Sequence, residues 1–163
     1  MTLRIGHGLD AHRFVAGRPL MLGGVHVPHD RGLLGHSDGD AVSHALADAV
    51  LGAAGLGDLG KHFPSSDERW RNAASLDLLR RAAALVTEAG FTVVSAQVVA
   101  VAQAPRLQPY LAAMGEALAE ALGSAAGRVA VSATSSDGLG FVGRGEGVAA
   151  SAVALLAPLS SSA

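Results

Sequence analysis

The 163-residue sequence contains no cysteine. That excludes disulfides, a thiolate nucleophile and any cysteine-built metal site. Aromatic residues are nearly as scarce, with one Trp, one Tyr and four Phe. The core must therefore come from Ala, Val and Leu, whose small members bury little apolar area per residue. Association with further copies of the chain would cover that shortfall, so a homo-oligomer is expected. Charge is also sparse: a formal net charge of −2 lacks the clustered basic face that broad nucleic-acid binding requires. No apolar run is long enough to span a bilayer; Val148–Leu156 is among the longest. The opening residues MTLRIGHGLDAHRF carry no apolar signal core. A cytoplasmic protein with no membrane or nucleic-acid partner is the expectation.

What the chain does have is a composition that is 50% hydrophobic, enough for one core and one domain over residues 1–163. Leu3, Ile5 and Leu9 alternate as in a strand over Leu3–Phe14. Leu20–His29, with Gly23-Gly24 at its middle, reads as a hairpin, and Arg31–Gly35 as a loop. Ser37 or Asp38 is placed to cap a helix that runs to about Gly55, with Val42, Ala45, Leu46, Ala49 and Val50 as its apolar stripe. Gly55–Asp67 reads as a loop. Ser75–Ala89 reads as a second helix with Ser75 as its N-cap and Gly90 beyond its end. Phe91–Ala102 and Val129–Thr134 read as strands, Pro109–Leu122 as a third helix and Ser135–Gly147 as a Gly-rich loop. The Ala content of Val148–Leu156 suits a helix, whereas its length and the glycines before it suit a buried strand. Residues from 158 onward are expected to fray.

The chemistry-bearing side chains concentrate early. All seven histidines, at 7, 12, 26, 29, 36, 44 and 62, precede residue 63. Residues two apart on a strand face one side, about 6.6 Å apart, so Asp10 and His12 can converge on one cation. His44 follows on the first predicted helix. One carboxylate and two imidazoles suit Zn²⁺, and three protein ligands leave a fourth position open for substrate. An Asp-x-His pair is common, and taken alone it reads more readily as unrelated surface residues. His36-Ser37 precedes that helix, where free N–H groups attract anions, although Ser37 or Asp38 also reads simply as a cap. Asp48, one turn beyond His44, is a candidate hydrogen-bond partner for it, and its spacing favours a solvated carboxylate.

Two later loops have the composition of phosphate sites. Ala102-Gln103-Ala104-Pro105-Arg106 leaves a strand end and enters a helix, a frequent ligand position. Arg106 there reads either as a phosphate contact or as a helix-face charge. Thr134-Ser135-Ser136-Asp137 supplies hydroxyls and a carboxylate suited to phosphates held with Mg²⁺, or an ordinary turn.

Taken together these motifs resemble the 2-C-methyl-D-erythritol 2,4-cyclodiphosphate synthase family. The similar stretches are Arg4–His12, His36–Asp40 with His44-Ala45-Leu46 and Asp48, Gly57–Pro64, Ala102–Pro105 and Leu139–Gly147, in order along nearly the whole chain. The resemblance implies an α+β fold: a mainly four-stranded mixed sheet with helices on one face and a small hairpin, assembled as a homotrimer with active sites between subunits. It selects a strand for Val148–Leu156. It makes Asp10, His12 and His44 zinc ligands, and Asp10 and His12 also border the substrate. His36 and Ser37 would contact its phosphate and sugar-alcohol part. Asp58 and Gly60 would form the methylerythritol site, with Phe63 to Asp67 in a mobile loop beside it. Ala102, Ala104, Pro105, Arg106 and Leu107, with Thr134, Ser135, Ser136 and Asp137, would form the cytidine and diphosphate pocket. Asp137 would hold a second divalent cation, Mg²⁺ or Mn²⁺. Phe141 and Arg144 would line the trimer axis, where some relatives hold an isoprenoid diphosphate.

This chain departs from the family pattern at Ser65-Ser66, where Asp-Thr is frequent, and at Ser135-Ser136, where hydroxyls persist in place of threonines. It also has Asp137-Gly138 where Glu-Lys is frequent. The activity implied is closure of a cyclic diphosphate from 4-diphosphocytidyl-2-C-methyl-D-erythritol 2-phosphate with release of CMP, a lyase step of the non-mevalonate isoprenoid precursor pathway. His36 and Ser135 would stabilise transition-state charge. The rival readings are a metal-dependent nucleotide-diphosphate phosphohydrolase and a non-catalytic binder of isoprenoid diphosphates.

Overall fold

A computed structural model describes residues 2–159. The chain folds around a five-stranded sheet in the order β4-β1-β7-β5-β6. Its strands are β1 (Arg4–Ala16), β4 (Arg31–Leu33), β5 (Phe91–Val101), β6 (Val129–Thr134) and β7 (Gly147–Pro158). Only β5 and β6 run parallel, so the sheet is mixed. β2 (Leu20–Leu22) and β3 (Val25–Val27) form the separate hairpin. Four long strands match the expected sheet; the fifth, β4, pairs through three residues with the end of β1. Three residues carry no readable alternation, which is why Arg31–Gly35 reads as a loop from sequence.

The helices are α1 (Ala41–Ala54), α2 (Leu59–His62), α3 (Ser75–Glu88), α4 (Leu111–Ala121) and α5 (Gly140–Gly143). α2 and α5 are single turns inside segments expected to be loops, too short for a 3.6-residue pattern to register. α1 is the central helix, buried on every side except at Asp48 and Gly52, and it packs on β1, β7 and α3. The even-numbered residues of β1 face it. A Cβ on Gly6 would stand 2.0 Å from the Ala49 carbonyl oxygen, and one on Gly8 would stand 1.9 Å from that of Ala45. The strand and the helix backbone therefore touch, and only glycines facing alanines permit it.

The odd-numbered face of the sheet is left uncovered. Leu3, Ile5, Leu9 and Val153 are 55%, 73%, 67% and 41% exposed. The alternation that marks β1 as a strand is thus formed by residues pointing away from this chain's own core.

α1 is capped by Asp40, not by Ser37 or Asp38. Its fully buried carboxylate accepts from the backbone N–H of Ser43 at 3.0 Å and from the Ser43 hydroxyl at 2.7 Å. It also accepts from the N–H groups of Gly23 and Gly24 at 2.8 and 2.7 Å. The cap thereby ties the hairpin to the helix. Ser75 is the first residue of α3 and not its cap; Ala74 takes that place and has no capping side chain. Order extends past the point where the tail was expected to fray: β7 reaches Pro158, and the Leu159 N–H donates to the Gly90 carbonyl at 2.8 Å. The remainder of that expected tail, 160–163, lies outside the described residues.

Candidate functional site

Three elements bring the early acid and histidines together. Asp10 and His12 project from the even face of β1 toward α1, and the Asp40 cap starts α1 so that its first turn carries His44 to the same point. Asp10 Oδ2 lies 2.9 Å from His12 Nε2 and 3.1 Å from His44 Nδ1, and the two ring nitrogens are 3.1 Å apart. One ligand atom from each residue lies within 4.8 Å of the others. One carboxylate and two imidazoles are a donor set that a single metal ion can share, zinc among the metals such ligands suit.

The two histidines present different nitrogens. His12 Nδ1–H donates to the Leu34 carbonyl, which leaves Nε2 for the cluster. His44 turns Nδ1 inward and sets Nε2 against Ser75 and Ser37 hydroxyls, at 2.8 and 3.0 Å. Burial pushes the Asp10 carboxyl up, but hydrogen bonds and charge from His12 and His44 outweigh it and hold it well below the usual carboxylate range. Burial likewise opposes charge on His12, yet the hydrogen bond and charge of Asp10, with the Leu34 carbonyl and Asp40, raise its pKa.

A cleft of about 310 Å³ opens from the cluster, bordered also by His36, Ser37, Gly60 and Phe63. His36 Nε2–H donates to the Asp67 carbonyl at 3.1 Å, joining the start of the site to the segment that follows Phe63. Phe63 meets Trp70 edge to face at 5.2 Å; sequence reasoning missed Trp70, which has no local motif to mark it. Asp58 does not border the cleft. Its carboxylate caps α2 through the Lys61 N–H at 2.9 Å. Asp67 also turns away, capping a short 3-10 turn and pairing with Arg69 at 2.6 Å.

A second cleft of about 320 Å³ lies where the parallel strands β5 and β6 end side by side, with Val101 opposite Thr134. Ala102, Pro105, Arg106, Leu107, Thr134 and Ser135 border it. Ala104 contributes the cis peptide to Pro105 but no lining surface. The Ser136 hydroxyl is engaged by the Leu139 carbonyl at 2.7 Å. The Gly138 N–H donates to Gln103 Oε1 at 3.2 Å and links the two loops. Asp137 is exposed, in the left-handed region at φ 54°. Among the described residues, Asp10, His12 and His44 form the one convergent group of three possible ligands, and Asp137 stands apart from it. The metal cleft and the β5–β6 cleft share no lining residue.

A third cleft, of about 530 Å³, is bordered by Ala11, His12, Arg13, Phe141 and Glu146. Arg144 does not border it; its guanidinium is paired with Glu146 at 2.8 Å. Asp48, expected to be solvated, is half-buried and accepts from the Leu59 N–H at 2.7 Å, fastening α2 to α1. Its helical spacing from His44 signalled proximity to the site, but its true partner lies in a segment read as loop.

The chain matches the YgbB family over residues 3–157. It is 54% identical over 153 residues to the 2-C-methyl-D-erythritol 2,4-cyclodiphosphate synthase of Symbiobacterium thermophilum, covering 94% of this chain and 98% of that one. It is 56% identical over 156 residues to the Laribacter hongkongensis protein of the same name, covering 96% of each. A solved 2C-methyl-D-erythritol-2,4-cyclodiphosphate synthase in its CDP-bound form superposes with a TM-score of 0.85 at 42% identity, over 94% of this chain and all of that one. The bifunctional IspDF of Campylobacter jejuni superposes at 0.93 with 40% identity, over 97% of this chain, which spans 43% of that longer one.

Proposed function

The chain belongs to the YgbB family, and from that premise we propose the reaction its site performs: cyclisation of 4-diphosphocytidyl-2-C-methyl-D-erythritol 2-phosphate to 2-C-methyl-D-erythritol 2,4-cyclodiphosphate with release of CMP, in the non-mevalonate route to isoprenoid precursors. The observation that carries this is the convergence of Asp10, His12 and His44 at the floor of a cleft, in a chain 54% identical to a synthase of that name.

The 2-phosphate of the substrate attacks the β-phosphorus, the bond from that phosphorus to the bridging oxygen breaks, and CMP leaves with the electron pair. The nucleophile is already an anion at neutral pH, so the chain needs no general base and no covalent nucleophile. Its task is to bring two mutually repelling phosphates into line, and positioning with electrostatic stabilisation supplies most of the rate in phosphoryl transfer. A zinc ion held by Asp10, His12 and His44 would supply Lewis-acid polarisation of phosphate oxygens. A magnesium or manganese ion would need only the Asp137 carboxylate together with substrate phosphates, since such ions are usually held by one or two carboxylates plus phosphate and water.

The remaining work falls to side chains of this chain. The Ser135 hydroxyl donates to oxygens on which charge develops, and His36, held by the Asp67 carbonyl, borders the cleft beside the metal cluster. Ser37 and Gly60, which border the metal cleft, seat the sugar-alcohol, with Phe63 excluding water. Ala102, Pro105, Arg106, Leu107 and Thr134, which border the β5–β6 cleft, receive the cytidine and diphosphate.

The active form is a homotrimer, with the metal cleft of one copy completed by the β5–β6 cleft of the next. The uncovered apolar face bearing Ile5, Leu9 and Val153 supports this, as does the absence of any shared lining residue between the two clefts. The cleft beside Phe141 suits an isoprenoid diphosphate near the trimer axis, with Arg144 close by. No helix among the described residues is long and apolar enough to cross a membrane, in keeping with work in the cytoplasm. Phosphorus NMR of the product tests the reaction: the cyclic diphosphate with CMP is expected, whereas inorganic phosphate or a linear diphosphate would identify a hydrolase, and no CMP release would identify a binder.

A further inference from the structure

We propose that Asp38 and Ser75 are positioning residues that fix the ring of His44 in the tautomer able to ligate metal. A neutral imidazole carries one N–H and one lone pair, and whatever its outer nitrogen meets decides which nitrogen is free. For His44 the inner nitrogen is Nδ1, facing Asp10 and His12. The outer nitrogen, Nε2, lies 2.8 Å from Ser75 Oγ in a pocket where Ser75 is 1% and His44 7% exposed.

A serine hydroxyl has one hydrogen to give, and its destination is fixed here. The Asp38 carboxylate, an acceptor only, sits against Ser75 Oγ, while its second oxygen accepts from the Ser75 N–H at 3.0 Å. Ser75 therefore donates to Asp38 and presents a lone pair to His44. An Nε2–H directed at that lone pair leaves the Nδ1 lone pair for a cation. Ser37 Oγ, 3.0 Å from Nε2 and 3.3 Å from Ser75 Oγ, belongs to the same network and accepts from the Gly39 N–H at 3.3 Å, and with Ser75 donating to Asp38 its hydrogen can pass to Ser75 Oγ.

The chain from Asp38 through Ser75 to His44 is thus a carboxylate–histidine–metal arrangement with a hydroxyl interposed. Outer partners of ligating histidines set ring orientation and ligand basicity. His12 reaches the opposite tautomer by a different route, through the Leu34 carbonyl. The relay also anchors the border of the cleft. Asp38 caps α3, which has no capping side chain of its own, and the Asp38 N–H donates to the Ala73 carbonyl at 3.1 Å. One carboxylate therefore holds both the metal ligand and the end of the segment that follows Phe63.

The proposal rests on the reading of Asp10, His12 and His44 as a zinc site. Its test measures zinc affinity by competition with a chromophoric chelator for the full-length parent, Ser75→Ala and Asp38→Asn. Nitrogen-15 NMR of the imidazoles in the metal-free parent and Ser75→Ala supplies a readout independent of zinc and of activity. The parent is expected to bind one zinc per chain and to show His44 protonated at Nε2. Ser75→Ala is expected to weaken zinc about 10–100-fold and to give a mixture of His44 tautomers, with Asp38→Asn weakening zinc in the same direction. Affinity in Ser75→Ala within about threefold of the parent, or a parent His44 protonated at Nδ1, overturns the relay. A parent that takes up no zinc overturns the metal reading itself.

Discussion

His12 and His44 aim different ring nitrogens, Nε2 and Nδ1, at the same oxygen of Asp10, from 2.9 and 3.1 Å. One ligand comes from the sheet's longest strand and another from the helix packed on it, so the site tests the register of the two elements. Replacing either histidine by alanine removes one of three ligands and leaves the core intact. His44→Ala is expected to contain no zinc by metal analysis and to release no CMP, while its circular dichroism and oligomeric mass stay those of the parent. Full activity in a metal-free preparation of that variant would refute the zinc role.

Ser135 borders the β5–β6 cleft and is exposed, free to donate to a bound phosphate. If its hydroxyl acts on charge that develops during displacement, Ser135→Ala lowers kcat more than it raises KM. A loss of about 100-fold in kcat is expected, the lower end of what removal of one such donor costs. Unchanged turnover would remove Ser135 from the mechanism.

Gly8 marks the contact between β1 and α1. A methyl group there would meet the Ala45 carbonyl oxygen at 1.9 Å and the Ala49 backbone nitrogen at 2.8 Å. Neither backbone atom can rotate away, so helix and strand must separate and His44 must retreat from Asp10. Gly8→Ala is expected to cost about 3 kcal/mol or more, at or above the upper end of ordinary overpacking. Urea unfolding measures it; an unchanged midpoint would mean that the helix does not lie on the strand.

Burial raises the Asp48 carboxyl above its ordinary value of 3.8, helped by the charges of Asp58 and Asp10 and opposed by the Leu59 N–H and His44. The folded chain then holds this proton more tightly than the unfolded one. Its contribution to stability is fully present below pH 3.8 and is lost as pH rises through the raised value. Asp48→Asn keeps an acceptor for Leu59 and removes the charge. In metal-free protein its unfolding midpoint should exceed the parent's at pH 7, with the difference closing toward pH 3. A difference that does not change between those pH values would contradict this.

Ile5 is 73% exposed on the uncovered sheet face. Light scattering should give the mass of three chains for the parent and of one for Ile5→Asp, the charge being costly to bury without a partner. A parent that runs as a monomer, or a variant that still forms a trimer, would contradict the assembly.

Much of this was legible in the sequence because its signals are local. Asp10-x-His12 on an alternating strand and His44 on a helix gave the metal cluster, and the long strands and helices had clear periods. The carboxylate roles were less legible. From sequence Ser37 or Asp38 and Ser75 read as ordinary helix caps, yet Asp40 caps α1, Asp38 caps α3 from 37 residues away in sequence, and Ser75 needs no cap role at all. Partners so far apart leave no spacing to read. Asp58, Asp67 and Arg144 carry the right chemistry, but in this chain each is engaged by a neighbour: the Lys61 N–H, Arg69 and Glu146. The exposure of the apolar face of β1 could not be told from sequence, because alternation does not reveal which side the helices cover.

The central claim is that the Asp10, His12 and His44 cluster holds the metal on which CMP release depends. The direct measurement follows CMP formation from 4-diphosphocytidyl-2-C-methyl-D-erythritol 2-phosphate before chelation, after exhaustive removal of zinc with magnesium kept in excess, and after zinc is returned. Turnover should vanish on removal and return in proportion to zinc, saturating at one ion per chain. Undiminished turnover by the zinc-free protein would contradict the account.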